Sequence, residues 1–372
     1  MKIIAHYNTI QNEENRSIFP AACNKLTYII ECLEKFGKVE IISASNTLNK
    51  RNSPKKVKKI SESTQLTLLK GFGRGNWLKN KFSTLFFALQ LYIYLFFNIT
   101  KEDTVLVYHS LGYMRYMKWL KRVRKFKLIL EVEEIYGDVL GKVKISQKEI
   151  NYFKIADAYI FPTQLLDRKV NINNKPSVII HGTYSVDKMI GKKFNDGRIH
   201  CVYAGTFDPR KGGVAAAAAG RFLDERYHIH ILGFGSENDK KLLIDTIEDV
   251  NRISKCKVTY DGLLSGEEYI KFIQSCDIGL STQNPDAAFN DTSFPSKVLS
   301  YLANGLRVVS VKIGALECSA VNDLLFYYEG NDPENTANAI KKIDVKIPYD
   351  SRARIKDLNE SFQKDLKKLI RN

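Results

Sequence analysis

The sequence predicts an α/β protein of two domains, each built on an open, mostly parallel sheet with helices on both faces. Three observations carry this. Short runs rich in β-branched and aromatic residues alternate with helical stretches along nearly the whole chain, the pattern of sheets buried on both sides. The 372 residues, 44% apolar, 11% aromatic and 26% charged, have an ordinary globular composition at about twice the usual single-domain length. A polar stretch from Ser185 to Arg198, with lysines and glycines and no periodicity, separates two strand series.

In the first series the expected strands are Lys2 to Ala5, Val39 to Ser43, Leu66 to Leu69, Thr104 to His109, Leu128 to Val132, Ala158 to Phe161 and Ser177 to Ile180, with helices between most of them. The second runs Ile199 to Ala204, His228 to Leu232, Lys257 to Tyr260, Asp277 to Leu280, Leu306 to Ser310 and Leu325 to Tyr328. Its helices are expected at Val214 to Phe222, Gly266 to Ser275, Lys297 to Asn304, Pro333 to Lys342 and Arg352 to Arg371. The division that follows is 1–184, a linker 185–198, 199–350, and a terminal helix 351–372. Ligands of such sheets lie outside the strand carboxyl ends.

Met1 to Tyr7 reads as a first strand, without the long apolar core or small-residue cleavage site of a secretory signal, so a cytoplasmic protein is expected. The six cysteines form no Cys-x-x-Cys pair and are too sparse for a disulfide framework; they read as reduced and mostly buried. The six histidines are equally dispersed, with His228 and His230 alternating along a strand, and no metal site is expected. Phe82 to Ile99 is the one long apolar stretch, interrupted by Ser83, Thr84, Gln90 and Asn98. Because a strand follows it closely, it reads as a crossover helix, buried or interfacial, rather than a membrane span.

The net charge of +16 is unevenly placed: six basic residues fall in Lys50 to Lys59 and seven in Arg115 to Lys127. In the second cluster Lys118, Lys121, Arg122 and Lys125 share one helical face, while Tyr113, Met117 and Leu120 take the other. Such a helix suits an anionic membrane surface or anionic acceptor; a solvated helix face is the alternative. No nucleic-acid motif accompanies the charge, so no nucleic-acid partner is expected.

Two segments point to phosphate chemistry. Cys201 to Ala204 runs into Gly205-Thr206-Phe207-Asp208-Pro209-Arg210-Lys211-Gly212-Gly213 and an Ala-rich helix, a glycine turn with a basic pair at a helix start. It is neither a Walker A loop nor a dinucleotide fingerprint. The second segment, Asn290-Asp291-Thr292-Ser293-Phe294-Pro295-Ser296-Lys297, opens a helix with Ser296 as the expected N-cap. Lys297 then falls in the first turn, where a cation is unfavourable unless an anion faces it.

In these residues the second half resembles the donor domain of GT-B glycosyltransferases, specifically family 4. Tyr203-Ala204-Gly205-Thr206 with Lys211-Gly212 is similar to that family's phosphate loop, Ile231 to Gly235 to its next turn, and Val258 to Leu263 to its base-contacting loop. Cys276 to Leu280 and Gly305 to Val309 flank the signature helix, so the likeness spans roughly Ile199 to Ile343. The Phe-Pro-Ser-Lys form resembles a subgroup that builds bacterial surface polysaccharides. The resemblance implies a GT-B fold, two Rossmann-like domains whose parallel sheets face a central cleft. It implies donor-binding roles for Gly205, Thr206, Arg210, Lys211, Tyr260, Leu263, Asn290, Thr292, Phe294, Pro295, Ser296, Lys297 and Ser300. Lys211 and Lys297 would hold the diphosphate, and Tyr260 and Leu263 would lie beside the base. The family's paired glutamates, seven residues apart, fall here on Thr292 and Ser300, and its loop arginine on Thr206, with Arg210 as substitute. Retaining or inverting chemistry stays open.

In the first half, His109 ends one strand and Glu131, Glu133 and Glu134 end the next. Glu133, Glu134 and His109 are the candidates for catalysis, a carboxylate serving as general base on an acceptor hydroxyl or orienting it; a structural role is the alternative for His109. The expected activity is metal-independent transfer of a sugar from a nucleotide diphosphate sugar to a glycan or lipid-linked acceptor, with no further cofactor, on the inner face of the plasma membrane. Two rival readings share these residues: a sugar-nucleotide epimerase of the same architecture, and a non-catalytic nucleotide-sugar binding partner.

Overall fold

Apolar strands buried on both faces require helices above and below the sheet, and the chain meets that requirement twice. The computed structural model describes residues 1–10, 13–43, 45, 47–73, 75–287, 290 and 292–371. It divides into two units, Met1–Pro162 with Leu166–Thr183 and Phe362–Asn372, and Thr163–Leu165 with Tyr184–Ser361.

The first unit holds β1 (Lys2–Ala5), β2 (Val39–Ser43), β3 (Lys56–Lys59), β4 (Thr64–Leu68), β5 (Thr104–Tyr108), β6 (Lys127–Glu131), β7 (Ala158–Phe161) and β8 (Ser177–Ile179). They lie in the order β3-β4-β2-β1-β5-β6-β7-β8, all parallel except the antiparallel β3–β4 pair. Its helices are α1 (Pro20–Glu34), α2 (Trp77–Asn98), α3 (Met114–Arg124), α4 (Tyr136–Val139), α5 (Val143–Phe153) and α6 (Gln164–Val170). Ile3, Ile4, Ile41, Ile42, Leu106 and Ile129 are fully buried in the strands. Strand β3 was not expected: its sequence, Lys-Val-Lys-Lys, is the end of the first basic cluster. A lysine-rich edge strand guards a sheet against edge-to-edge pairing, and Lys56 and Lys58 are ion-paired with Glu14 and Glu13 at 2.6 and 2.5 Å. Two of the six cations of that cluster are therefore spent on architecture.

The second unit holds β9 (Ile199–Thr206), β10 (Tyr227–Phe234), β11 (Lys257–Gly262), β12 (Ile278–Ser281), β13 (Arg307–Val311) and β14 (Leu325–Tyr328). All are parallel, in the order β11-β10-β9-β12-β13-β14. The order reverses between β9 and β12, which makes the carboxyl ends of those strands the topological switch point. Its helices are α7 (Gly213–Ala218), α8 (Glu237–Ile253), α9 (Gly266–Ser275), α10 (Ser296–Ala303), α11 (Gly314–Glu317), α12 (Pro333–Lys341) and α13 (Ser351–Arg371). Helix α8, capped by the Ser236 hydroxyl on the Asp239 amide, was absent from the expected series.

Residues 185–198 carry no strand or helix before β9, yet they are tied down within the second unit. The Gln274 side chain accepts from the amides of Ile190 and Gly191 and donates to the Lys188 carbonyl. Helix α13 begins in the second unit, where the Ser351 hydroxyl reaches the Leu302 carbonyl. Its last residues belong to the first unit, with the Phe362 ring 5.8 Å from Tyr28. All six cysteines are free thiols; five are buried and Cys318 is exposed.

Candidate functional site

At the switch point of the second unit, β9 ends and the chain turns through Pro209–Lys211 into α7. Gly212 has φ +89°, and a Cβ there would stand 1.8 Å from the Thr282 carbonyl oxygen beyond β12. The turn can approach β12 this closely only with glycine at that position. The approach is fixed by hydrogen bonds from Thr282 Oγ1 to the Gly212 carbonyl at 2.6 Å and from the Asn284 amide to the Arg210 carbonyl at 3.1 Å. On the other side, the Tyr203 hydroxyl lies 2.8 Å from the Thr206 carbonyl and 2.9 Å from that of Lys211, pinning both ends of the loop.

Lys211 and Lys297, 86 positions apart, meet here. The Lys297 ammonium donates to the Lys211 carbonyl at 3.2 Å and sits 3.8 Å from the centroid of the Tyr203 ring. Burial, reinforced by the Lys211 charge, pushes Lys297 down to about 7. Two cations and a carbonyl-lined turn, with one ammonium half-inclined to lose its proton, form an arrangement that an anion would relieve.

The other expected donor residues divide. Gly205 and Thr206 line the same turn: a Cβ on Gly205 would stand 3.4 Å from the Lys297 nitrogen. The Tyr260 hydroxyl donates to the Gly233 carbonyl at 3.1 Å, while Leu263 is 65% exposed on the following loop. Ser296 is not the N-cap; Pro295 takes that position with no side-chain cap, and Ser296 is the exposed first residue of α10. Phe294 is buried, and Thr292 and Pro295 are half-buried; Asp291 lies outside the described residues.

Three residues are already committed elsewhere. Arg210, the expected substitute for the loop arginine, grips Asp208 with Nε at 3.0 Å and Nη2 at 2.6 Å and holds that carboxylate below its usual range, so its charge is met locally. Asn290 accepts from Gln283 at 2.6 Å and donates to the carbonyls of Asn284 and Pro285, which uses its whole amide to fold its own loop. Ser300 pairs with the Tyr269 hydroxyl at 3.1 Å. Tyr203 and Thr282 were missed as site residues; a tyrosine between Val202 and Ala204, just before the glycine turn, was the available signal for Tyr203.

In the first unit, His109 is 2% exposed and its Nε2 lies 2.8 Å from Glu149, which also accepts from the amides of Tyr136 and Gly137 at 3.0 and 2.7 Å. Tyr136 and Phe153 pack on its ring at centroid distances of 5.3 and 4.8 Å. Enclosed in this way, His109 matches the structural role that the sequence left as its alternative. Glu133 is different. The buried Lys25 of α1 reaches Glu131 at 3.0 Å and touches Glu133. Burial and the charge of Glu133 raise Glu131 well above the usual carboxylate range. Glu133 itself, against the pull of burial, is held below that range by the Lys25 charge. Burial and the shared Lys25 thus push the two carboxyls in opposite directions. Glu134 is half-buried beside them.

Dispersed in sequence, His200, His228 and His230 come together in the second unit, with one ring nitrogen of each within 4.8 Å of the others. In-register pairing of β9 with β10 sets His200 directly beside His228.

No family model and no curated protein matches the chain. Solved structures do. One, described as trehalose-6-phosphate from E. coli bound with UDP-2-fluoro glucose, is similar with a TM-score of 0.70 at 10% identity, covering 99% of this chain and 98% of that one. A UDP-forming α,α-trehalose-phosphate synthase from Burkholderia xenovorans gives 0.65 at 12%, covering 100% and 98%. Sucrose-phosphate synthase from Thermosynechococcus elongatus gives 0.65 at 14%, covering 100% and 95%. At such identities it is the fold that is shared, and the chain therefore has the GT-B fold of these synthases, two doubly wound α/β units along its whole length.

Proposed function

We infer that this chain is a glycosyltransferase that moves a sugar from a nucleoside diphosphate sugar to an acceptor hydroxyl. One observation carries the reading. Two lysines from distant parts of the sequence meet at the switch point of a doubly wound sheet, one over an aromatic ring and desolvated. Charge there, developing on the leaving diphosphate, would be stabilised by Lys211 and Lys297. Glu133, held below the usual carboxylate range by the Lys25 charge, supplies a base or orienting group for the acceptor hydroxyl, with Glu134 as its neighbour. The E. coli relative described with UDP-2-fluoro glucose supports a uridine nucleotide as the first donor to try.

The test is calorimetric titration of UDP and other nucleoside diphosphates into the native chain and the Lys211→Ala variant. A charge-assisted bond contributes on the order of 1.5–3 kcal/mol, so Lys211→Ala is expected to bind about ten- to a hundred-fold more weakly. The Glu133→Gln, Glu134→Gln double variant should bind as the native chain does but lose turnover. Equal affinity in native and Lys211→Ala protein would remove the donor site. Intact binding without turnover on any acceptor would favour a binding partner over an enzyme.

For the acceptor, a lipid-linked glycan of surface polysaccharide synthesis, met at an anionic membrane face, is the reading that the surface of the first unit supports. Among the described residues no helix is long and apolar enough to cross a membrane. Helix α2 nonetheless buries only Leu91 and Leu95, and exposes Leu78, Phe82, Leu85, Phe86, Leu89, Ile93 and Phe97 along one stripe. Helix α3 lies against it, with Trp119 4.3 Å from Tyr92, and leaves Arg115, Lys118 and Arg122 exposed. Lys121, expected on that face, instead pairs with Asp157, and the Arg124 guanidinium donates to the Phe96 carbonyl at 2.6 Å. Apolar stripe and cations together suit interfacial binding. Neutralising the three exposed cations, at about 1 kcal/mol each, is expected to release the chain from anionic liposomes in flotation, as is raised salt. Retention that survives both would refute this placement, and transfer to glucose 6-phosphate, found with a Burkholderia relative, would replace the acceptor.

A further inference from the structure

The histidine cluster of the second unit lies away from the diphosphate loop. His200 is six residues before Thr206 on β9, about 20 Å along the strand, at the amino end of that strand. His200, His228 and His230 are 2%, 6% and 3% exposed. Their hydrogen bonds determine where each ring keeps its proton. His200 Nε2 faces Asp196 Oδ1 at 2.8 Å and His230 Nδ1 faces Asp261 Oδ2 at 3.0 Å; a carboxylate only accepts, so both nitrogens donate. The Thr259 hydroxyl donates to Asp261 at 2.8 Å and is left to accept from His228 Nε2 at 3.0 Å.

Each ring therefore has one nitrogen protonated and tied outward, and a lone pair on the other. Those are Nδ1 of His200, Nδ1 of His228 and Nε2 of His230. The first and last face each other at 2.9 Å. With both outer nitrogens donating, neither can donate to the other, and two opposed lone pairs at that distance repel unless a cation is shared between them.

We propose that His200, His228 and His230 form a binding site for a divalent transition metal of the zinc class, with Asp196, Asp261 and Thr259 as its outer shell. Three imidazoles with a fourth position left to water or carboxylate are a zinc donor set. A carboxylate on the far nitrogen of a ligating histidine fixes its tautomer and raises its basicity, and two of the three rings have one. Zinc–nitrogen bonds of about 2.0–2.1 Å in a tetrahedron set ligand nitrogens about 3.3–3.4 Å apart, so the 2.9 Å pair opens by a few tenths of an ångström while the wider pairs of the trio, which reach 4.8 Å, close onto the metal. Phe194, stacked 4.1 Å from His200, and the edge of Phe272, 5.1 Å from His230, close the cluster from the side. The metal joins β9 to β10, and through Asp261 and Thr259 to β11. Its role is to stabilise this half of the sheet, with no part in the diphosphate loop.

The experiment uses the full chain, freed of metal by chelator and titrated with zinc and with cobalt. One zinc per chain should bind at or below about 1 µM free metal. Cobalt should give the intense visible absorption of a tetrahedral site, saturating at the same stoichiometry, and zinc should raise the melting midpoint. His228→Gln should abolish both signals, and Asp196→Asn should weaken binding about ten- to a hundred-fold. Asp196 is 47% exposed at its side chain, so that variant folds even where His228→Gln does not, and it alone then decides. Absence of saturable binding, or binding unchanged by Asp196→Asn, would overturn the site. So would magnetic resonance showing that the rings share only a proton while zinc is present.

Discussion

Replacing Lys297 with Met is expected to raise the melting midpoint of the ligand-free protein while weakening nucleoside diphosphate binding by about a hundred-fold. The two effects share one cause. The Lys297 ammonium is held in a desolvated position, over Tyr203 and beside the Lys211 carbonyl, with its pKa pushed down to about 7. Because the folded value lies below the unfolded one, the unfolded chain binds more protons between about pH 7 and 10, and stability rises with pH across that window. Below it both states are protonated and the folded state carries the whole penalty. An apolar side chain of similar shape removes that penalty, which is commonly about 1–4 kcal/mol, each kcal/mol shifting the midpoint by about 2–4 °C in a unit of this size. The gain should be largest at or below pH 7 and close toward pH 10. A diphosphate restores the ammonium, so native binding near pH 7 takes up a fraction of a proton, seen as a heat that varies with the buffer. A Met variant that melts lower than the native chain at pH 7 would mean that Lys297 is structural.

The Glu149→Ala variant is expected to lower the melting midpoint of the first unit by about 6–20 °C, corresponding to about 3–5 kcal/mol for one partner removed from a buried charged network. Glu149 is fully buried and accepts three hydrogen bonds, from His109 and from the Tyr136 and Gly137 amides that begin α4. Its loss leaves all three donors unsatisfied in a site closed by Tyr136, Tyr152 and Phe153. Donor affinity should be untouched, since the switch-point loop belongs to the other unit. A variant of native stability whose turnover collapses would return His109 to the catalytic group.

Alternating strand and helix signals were legible because a strand buried on both faces must be apolar throughout, whatever it packs on. Every expected strand therefore has its counterpart in the structure, with ends shifted by a residue or two. Strand β3 was hidden because an edge strand is selected for charge, and its lysines read as a surface cluster. Lys211 and Lys297 could be singled out from sequence, since each follows a turn that opens a helix. That the Lys297 ammonium reaches the Lys211 carbonyl at 3.2 Å was decided by the parallel crossovers of β9 and β12 and the glycine turn at Gly212. Sequence shows residue types and not their partners. Arg210, Asn290 and His109 each have the chemistry of a site residue, and each is taken by a neighbour, Asp208, Gln283 or Glu149, that only folding supplies. The histidines are the reverse case. Separated by up to 30 positions, they are aligned by strand register, because residues paired in neighbouring parallel strands point to the same face. Composition and periodicity determined the architecture; long-range pairing in the sheet decided which polar groups stand alone and which stand together.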